Sequence, residues 1–193
     1  SSEVLYATRG MTLFRIEDIG LQEACVRVFN DWLVEYCQTH PERLIGIGLV
    51  SLYDIDNAVR ELERCRNAGL RGAMIWQNPP EELPFSSSHY DPFWSAAQEL
   101  DMPVSLHILT GHGYMKRPQT REGTEHYRSS VNTKLGEIMD SLFDLIFYKA
   151  LDRFPNLRLV LVENEIGWLP FALQQWGYYL SRNRDREPGP AHD

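Results

Sequence analysis

Residues 158–170 read "RLVLVENEIGWLP", an apolar run ending on two glutamates two residues apart, followed at once by a helix start. Strand side chains alternate between faces, which predicts Glu163 and Glu165 on the face of Leu159 and Leu161, with Val160 and Val162 opposite. A short strand that is apolar on both faces is buried from both sides. A carboxylate at its end must then be paired, hydrogen-bonded or bound to a metal.

The same unit recurs upstream. Residues 21–39 space Leu21, Ala24, Cys25, Val28, Phe29, Trp32, Leu33 and Tyr36 at intervals of three and four, predicting an amphipathic helix with these residues inward. A strand over 43–52 follows. Asp54 then caps a helix to about Asn67, with Val59 and Leu62 inward and Gly69 as its stop. Residues 70–76 form the next strand, and Asp91-Pro92 opens a helix to Leu100 with Asp91 as its N-cap. A third strand covers 102–109, and a long polar loop without periodicity covers 110–130. Leu135, Ile138, Met139, Leu142, Phe143, Ile146 and Ala150 mark a long helix, residues 157–163 a fourth strand, and Trp168 to Arg182 a last helix. Residues 1–20 read as a lead-in and 183–193 as a disordered tail of one domain.

Four strands alternating with helices imply parallel βα units with right-handed crossovers. An open doubly wound sheet and a closed (β/α)₈ barrel share this unit. The barrel is favoured because no strand-to-helix turn carries a Gly-rich phosphate fingerprint. The polar residues also gather beyond the C-terminal ends of the strands, where barrels keep their chemistry. Barrels run to about 250 residues, so four strands amount to half of one.

The chain of 193 residues carries 27 Asp plus Glu against 19 Lys plus Arg, a balance that argues against nucleic acid and anionic membrane surfaces. No apolar run is long enough to span a bilayer, and no basic–apolar–small pattern opens the chain, which together predict a cytoplasmic protein. Cys25, Cys37 and Cys65 form no C-x-x-C pair and read as reduced, mostly buried thiols. His107, in "PVSLHILTGHG", falls near a strand end on the face of Ser105 and Leu109. It is either a core histidine bonded to a backbone carbonyl or a metal ligand or general base at the barrel mouth. His112, between two glycines, is expected to be exposed or substrate-facing, and His89 and His126 to lie on the surface.

Three stretches carry a family resemblance: "HPERLIGIGLVSLYDIDNAVRELERCRNAGLRGAMIW", "YDPFWSAAQELDMPVSLHILTG" and "FPNLRLVLVENEIGWLPFALQQW". Over roughly residues 21 to 180 the chain resembles the amidohydrolase-related family, whose relatives include the aminocarboxymuconate-semialdehyde decarboxylase type. The D-P-x-W helix start, the P-V-x-x-H strand and the F-P-x-L…W-L-P unit carry most of the likeness.

The resemblance implies an α/β fold that is part of a metal-dependent (β/α)₈ barrel, its four βα units corresponding to strands 3 to 6. It implies a divalent ion, zinc first and manganese second, with His107 matching the fifth-strand histidine ligand. Glu163 falls where many relatives carry a sixth-strand histidine, and is expected to be a ligand or a catalytic base. Glu165 would cap the helix start or orient a ligand. Trp76, Asn78 and His112, on strand-end loops, would bind substrate. The first-strand H-x-H or E-x-H pair and the last-strand aspartate are not found, so the sequence reads as an interior stretch of such a barrel. His107 and Glu163 are too few for a catalytic zinc with three protein ligands. The chain alone is therefore expected to be inactive, and its parent an enzyme.

The reaction implied is non-oxidative decarboxylation of a small unsaturated or aromatic carboxylic acid. Metal-dependent hydrolysis of an ester, lactone or amide is the alternative, and a half-barrel serving only as a binding or scaffold piece is the non-enzymatic one. Four strands that do not close leave two open edges and an inner face carrying Leu159 and Leu161 exposed to water, which predicts that the isolated chain aggregates, pairs with a second copy or is partly molten, with a homo-oligomer expected.

Overall fold

The computed structural model describes residues 1–117 and 123–182; residues 118–122 and the tail 183–193, together with the side chains of Glu125, His126, Ser129 and Ser130, lie outside it. Five parallel strands stand in sequence order: β1 (Glu3–Leu5), β2 (Leu44–Leu49), β3 (Gly72–Trp76), β4 (Val104–His107) and β5 (Leu159–Val162). The expected four are present, and residues 1–20 supply a fifth that sequence alone hid. With three residues, β1 is too short for alternation to show.

The connections are helical: α1 (Ile19–Gln38), α2 (Ile55–Asn67) and α3 (Asp91–Glu99) join the first four strands. Between β4 and β5 run α4 (His112–Lys116), α5 (Gly123–Tyr127), a π-helical stretch Arg128–Thr133, α6 (Lys134–Phe147) and α7 (Ala150–Arg153), and α8 (Trp168–Arg182) follows β5. The expected loop over 110–130 is thus largely short helix. Asp54 caps α2 through Asn57 N, and Gly69 stops it at φ 101°, as expected. Asp91 is not a cap: it opens α3 as its first residue and pairs with Arg153 at 2.9 Å.

One contact shows that the sheet curls. The Tyr6 hydroxyl, just beyond β1, lies 3.0 Å from Ser105 Oγ on β4, and the Tyr6 ring packs against His107. Three strand spacings in a flat sheet would hold β1 and β4 about 14 Å apart. Register then assigns the faces: Met74 pairs with Ser105 and Trp76 with His107, while Ser105 and His107 pair with Val160 and Val162. These six residues face the concave interior of a half-barrel. Leu159 and Leu161 therefore face outward, against the helix-covered core, and not inward as alternation toward the glutamates had suggested. Val160 is 39% exposed, because no strand follows β5 among the described residues.

The outer face explains an unexpected helix rotation. Most of the apolar stripe of α1 points to solvent, with Val28 69% and Trp32 54% exposed, while its Leu33 is buried along with Gln22, Val26, Asn30 and Cys37. The pairing of β1 with β2 stops at Gly46, leaving Leu49 without a strand partner on that side. The Asn30 carboxamide takes the place of that strand, accepting from Leu49 N and donating to Leu49 O, both at 2.8 Å. Ser51 Oγ donates likewise to Gln22 Oε1 at 2.6 Å. The helix can lie this close because Gly46 and Gly48 carry no side chain: a Cβ on Gly46 would come within 2.9 Å of Cys37 Sγ. All three cysteines are free thiols, Cys37 and Cys65 buried.

Replacing Asn30 by Ala strands both backbone groups of Leu49 in a buried setting. We expect a loss of about 2–4 kcal/mol in unfolding free energy by urea titration. A loss below about 0.5 kcal/mol would show that the carboxamide does not serve as the missing strand.

Candidate functional site

The C-terminal ends of the strands converge on His107. It is the last residue of β4 and is buried, and its Nδ1 donates to Ile108 O at 2.8 Å. That bond fixes the tautomer, leaving Nε2 with a free lone pair. Nε2 lies 3.8 Å from Glu163 Oε2. The two residues singled out in the sequence are thus neighbours at the mouth.

Glu163 reaches His107 by a route that strand alternation misses. The strand ends at Val162, and Glu163 and Glu165 both adopt left-handed backbone, with φ 57° and 56°. For non-glycine residues this costs about 1–2 kcal/mol each. Between them Asn164 is buried, and its Nδ2 donates to Leu106 O at 3.2 Å and Val162 O at 3.0 Å, tying together the ends of β4 and β5. Its own carbonyl accepts from Trp168 Nε1 at 2.7 Å. Glu163 is thereby turned out of the sheet, its side chain 68% exposed, and back over His107. Glu165 is exposed, and Asn164 rather than Glu165 makes the contact with the start of α8. Leu109 also has a left-handed backbone, at φ 76°, so it does not continue the face of Ser105 and His107.

The flank of the mouth is aromatic. Trp76 is fully buried as the last residue of β3 rather than part of a loop. It packs edge-on against Tyr53 and His112, each at 4.9 Å between ring centroids. His112 is buried rather than exposed: it begins α4, its Nδ1 donates to Asn78 O at 3.0 Å, and its Nε2 accepts from the Tyr53 hydroxyl at 2.8 Å. Burial pulls its pKa down. Asn78 turns its side chain away from the interior, donating to Ser141 Oγ at 3.1 Å and Glu137 O at 3.3 Å on α6. His89 is half-buried, its ring bonding Leu52 O at 2.8 Å. His126 lies outside the described residues.

Sequence reading missed three contributors. Lys134, at the start of α6, holds its ammonium 5.2 Å above the Tyr114 ring. Burial lowers its pKa, and the charge of Glu163 works against that. Tyr6 supports His107 from across the interior, and Asn164 shapes the turn that delivers Glu163. Only Asn164 carried a signal, as a polar residue between two glutamates at a strand end.

A divalent ion fits the two residues that converge here. Zinc–nitrogen and zinc–oxygen bonds run to about 2.0–2.2 Å, so two ligand atoms on one ion stand roughly 3–4 Å apart. The His107–Glu163 separation of 3.8 Å lies within that span. No group of three or more His, Cys, Asp or Glu that could hold a metal occurs among the described residues. No described helix is long and apolar enough to cross a membrane.

The amidohydrolase family model matches residues 6–181. A gamma-resorcylate decarboxylase of Polaromonas sp. (strain JS666 / ATCC BAA-500) is 29% identical over 174 residues, 82% of this chain and 49% of that protein. The gamma-resorcylate decarboxylase of Rhodococcus jostii (strain RHA1) is 33% identical over 151 residues, 68% of this chain and 42% of that one. The chain thus spans about half the length of the curated relatives it matches. In fold it is similar to the 5-carboxyvanillate decarboxylase of Novosphingobium aromaticivorans DSM 12444, a structure with bound manganese. The TM-score is 0.81 at 24% identity, covering 98% of this chain and 53% of that one.

Asn164→Ala removes the tie that the carboxamide makes between Leu106 O and Val162 O at the ends of β4 and β5. An unfolding free energy lower by about 1–3 kcal/mol is expected, with faster amide exchange at Ile108, whose N–H bonds Val162 O. Unchanged exchange at Ile108 would mean that the turn holds without the carboxamide.

Proposed function

The chain belongs to the amidohydrolase family, and on that premise we propose that it forms half of the active site of a metal-dependent aromatic-acid decarboxylase. The observation that carries this reading is the pairing of His107 Nε2 with Glu163 Oε2 at 3.8 Å, at the C-terminal end of a parallel sheet. The curated relatives act on an aromatic acid, gamma-resorcylate, which favours a small hydroxylated benzoic acid as substrate. In the reaction the bond from ring carbon to carboxylate breaks, CO₂ departs, and a proton takes its place on the ring.

His107 and Glu163 would hold the ion, which when bound supplies a positive charge that fixes the substrate's oxygens and draws off developing negative charge. An oxygen ligand favours a harder ion, and a similar structure carries manganese, so manganese is preferred here to the zinc suggested by resemblance. Tyr6 and the Ile108 carbonyl hold the His107 ring in one orientation and one tautomer. Trp76, Tyr53 and His112 form a dry aromatic wall suited to a benzene ring, with Asn78 holding that wall to α6 through its carboxamide and to His112 through its carbonyl. Lys134 adds a cation on the Glu163 side, suited to a substrate carboxylate. The remaining ligands would come from elements beyond these five strands, or from a second copy in a homo-oligomer.

Glu163→Gln in the protein encoded by the full reading frame tests the assignment by metal content and by CO₂ release from dihydroxybenzoates. We expect bound manganese to fall at least tenfold and turnover with it. Retained metal with turnover lost would make Glu163 a proton-transfer group instead. Wild-type values for both would remove Glu163 from the site. Release of acid from lactones or esters without CO₂ would replace decarboxylation by hydrolysis.

A further inference from the structure

The stretch Gly111-His112-Gly113 has a physical reason that metal chemistry does not touch. From α6, Glu137 points into the bend at the start of α4 and is only 7% exposed. Its Oε1 accepts from Tyr114 N at 2.5 Å, and the Gly113 N–H also bonds the carboxylate. A Cβ on Gly111 would fall 2.1 Å from Oε2, and one on Gly113 2.7 Å from Oε1. A side chain at either glycine would therefore displace the carboxylate that fills its space. The opposite side of the bend is held as firmly: His112 N and Nδ1 both bond Asn78 O, at 3.1 and 3.0 Å. The same turns of α6 accept Asn78 Nδ2, and Ser141 Oγ donates to Gln77 O at 2.8 Å.

We propose that Glu137 is the positioning residue of the aromatic wall, clamping the Gly111–Tyr114 bend so that His112 is pressed between Trp76, Tyr53 and the Asn78 carbonyl. The role holds whatever reaction the mouth serves, and the bend lies between two groups whose titration burial shifts. Burial pushes the Glu137 carboxyl up to about 7, with Asp140 raising it and Arg117 and the two backbone N–H groups opposing. Burial lowers His112, with Lys116 acting in the same sense and Glu82 and the Asn78 carbonyl against it.

The linkage signs differ. Between an unfolded value near 4.5 and a native one about 7, the folded state holds more protons at Glu137 than the unfolded state does. This contribution to stability therefore falls as pH rises through that window. For His112 the folded state holds fewer protons below an unfolded value of 6.5, so its contribution is lost as pH falls through and below that value. Ionisation near pH 7 makes the bonds from the Tyr114 and Gly113 N–H groups charge-assisted, which offsets only part of the cost of burying the charge.

The test is an NMR titration of the His112 ring in this 193-residue chain, assigned with His112→Gln, for wild type, Glu137→Gln and Glu137→Ala. Metal and substrate are not needed, so its outcome is independent of the decarboxylase reading. In wild type, a His112 midpoint below 6.5 with a second inflection near pH 7 is expected. Glu137→Gln, which keeps the size and an oxygen for Tyr114 N, should abolish the inflection while the midpoint stays low. Glu137→Ala should move the midpoint up toward 6.5 and shift Trp76 emission to longer wavelength. A His112 titration without the second inflection in wild type, or one unchanged in Glu137→Ala, would overturn the proposal even if stability fell. Should Glu137→Ala fail to fold, the inflection in wild type against Glu137→Gln decides alone.

Discussion

The mouth of this half-barrel depends on one carboxamide. Asn164 donates to the carbonyls of Leu106 and Val162 and so holds the last two strands level where their ladder runs out. With that tie in place the chain can accept left-handed backbone at both Glu163 and Glu165. Such conformations persist only where surrounding contacts over-determine them, and they cluster where a side chain has to be aimed. Here the aimed side chain is Glu163, turned back over His107 instead of following its strand.

A second constraint is the curl of the sheet. Parallel strands twist, and once β1 and β4 approach across the interior, Tyr6 can meet both Ser105 and His107. The concave face thus brings together residues about a hundred positions apart in the chain. The convex face obeys a different rule, since helices must approach a surface whose ladder is incomplete beside Leu49. Gly46 and Gly48 make the room, and Asn30 supplies the hydrogen bonds that a longer β1 would have given. That polar demand overrides amphipathicity and turns most of the apolar stripe of α1 outward.

Between these two faces, α6 acts as a brace. Its first turns receive Gln77 and Asn78 from the end of β3 and the Gly111–Tyr114 bend from the end of β4. The braced elements carry the aromatic wall, while β4 and β5 carry the histidine and the carboxylate. A site divided in this way has a rigid apolar side, suited to a ring, and a charged side, suited to an ion and an acid. Both are what decarboxylation of an aromatic acid would require.

The sequence by itself determined the alternation of strands and helices, the parallel sense of the sheet and the prominence of His107 and Glu163. These follow from local patterns: apolar runs, helical spacing, Asp54 and Gly69 at the ends of α2, and motifs ordered as in the family. It could not show β1, whose three residues are too few for any period, nor the rotation of α1, set by an unpaired backbone group on another element. It placed Glu163 on the wrong face, because alternation holds only while the backbone stays extended. It left His112 either exposed or substrate-facing and Glu137 and Lys134 unmarked, because their burial depends on how α6 crosses the strand ends. Tertiary structure decided these points for one physical reason: each is the answer to a hydrogen-bonding or packing demand made by residues far away in the chain.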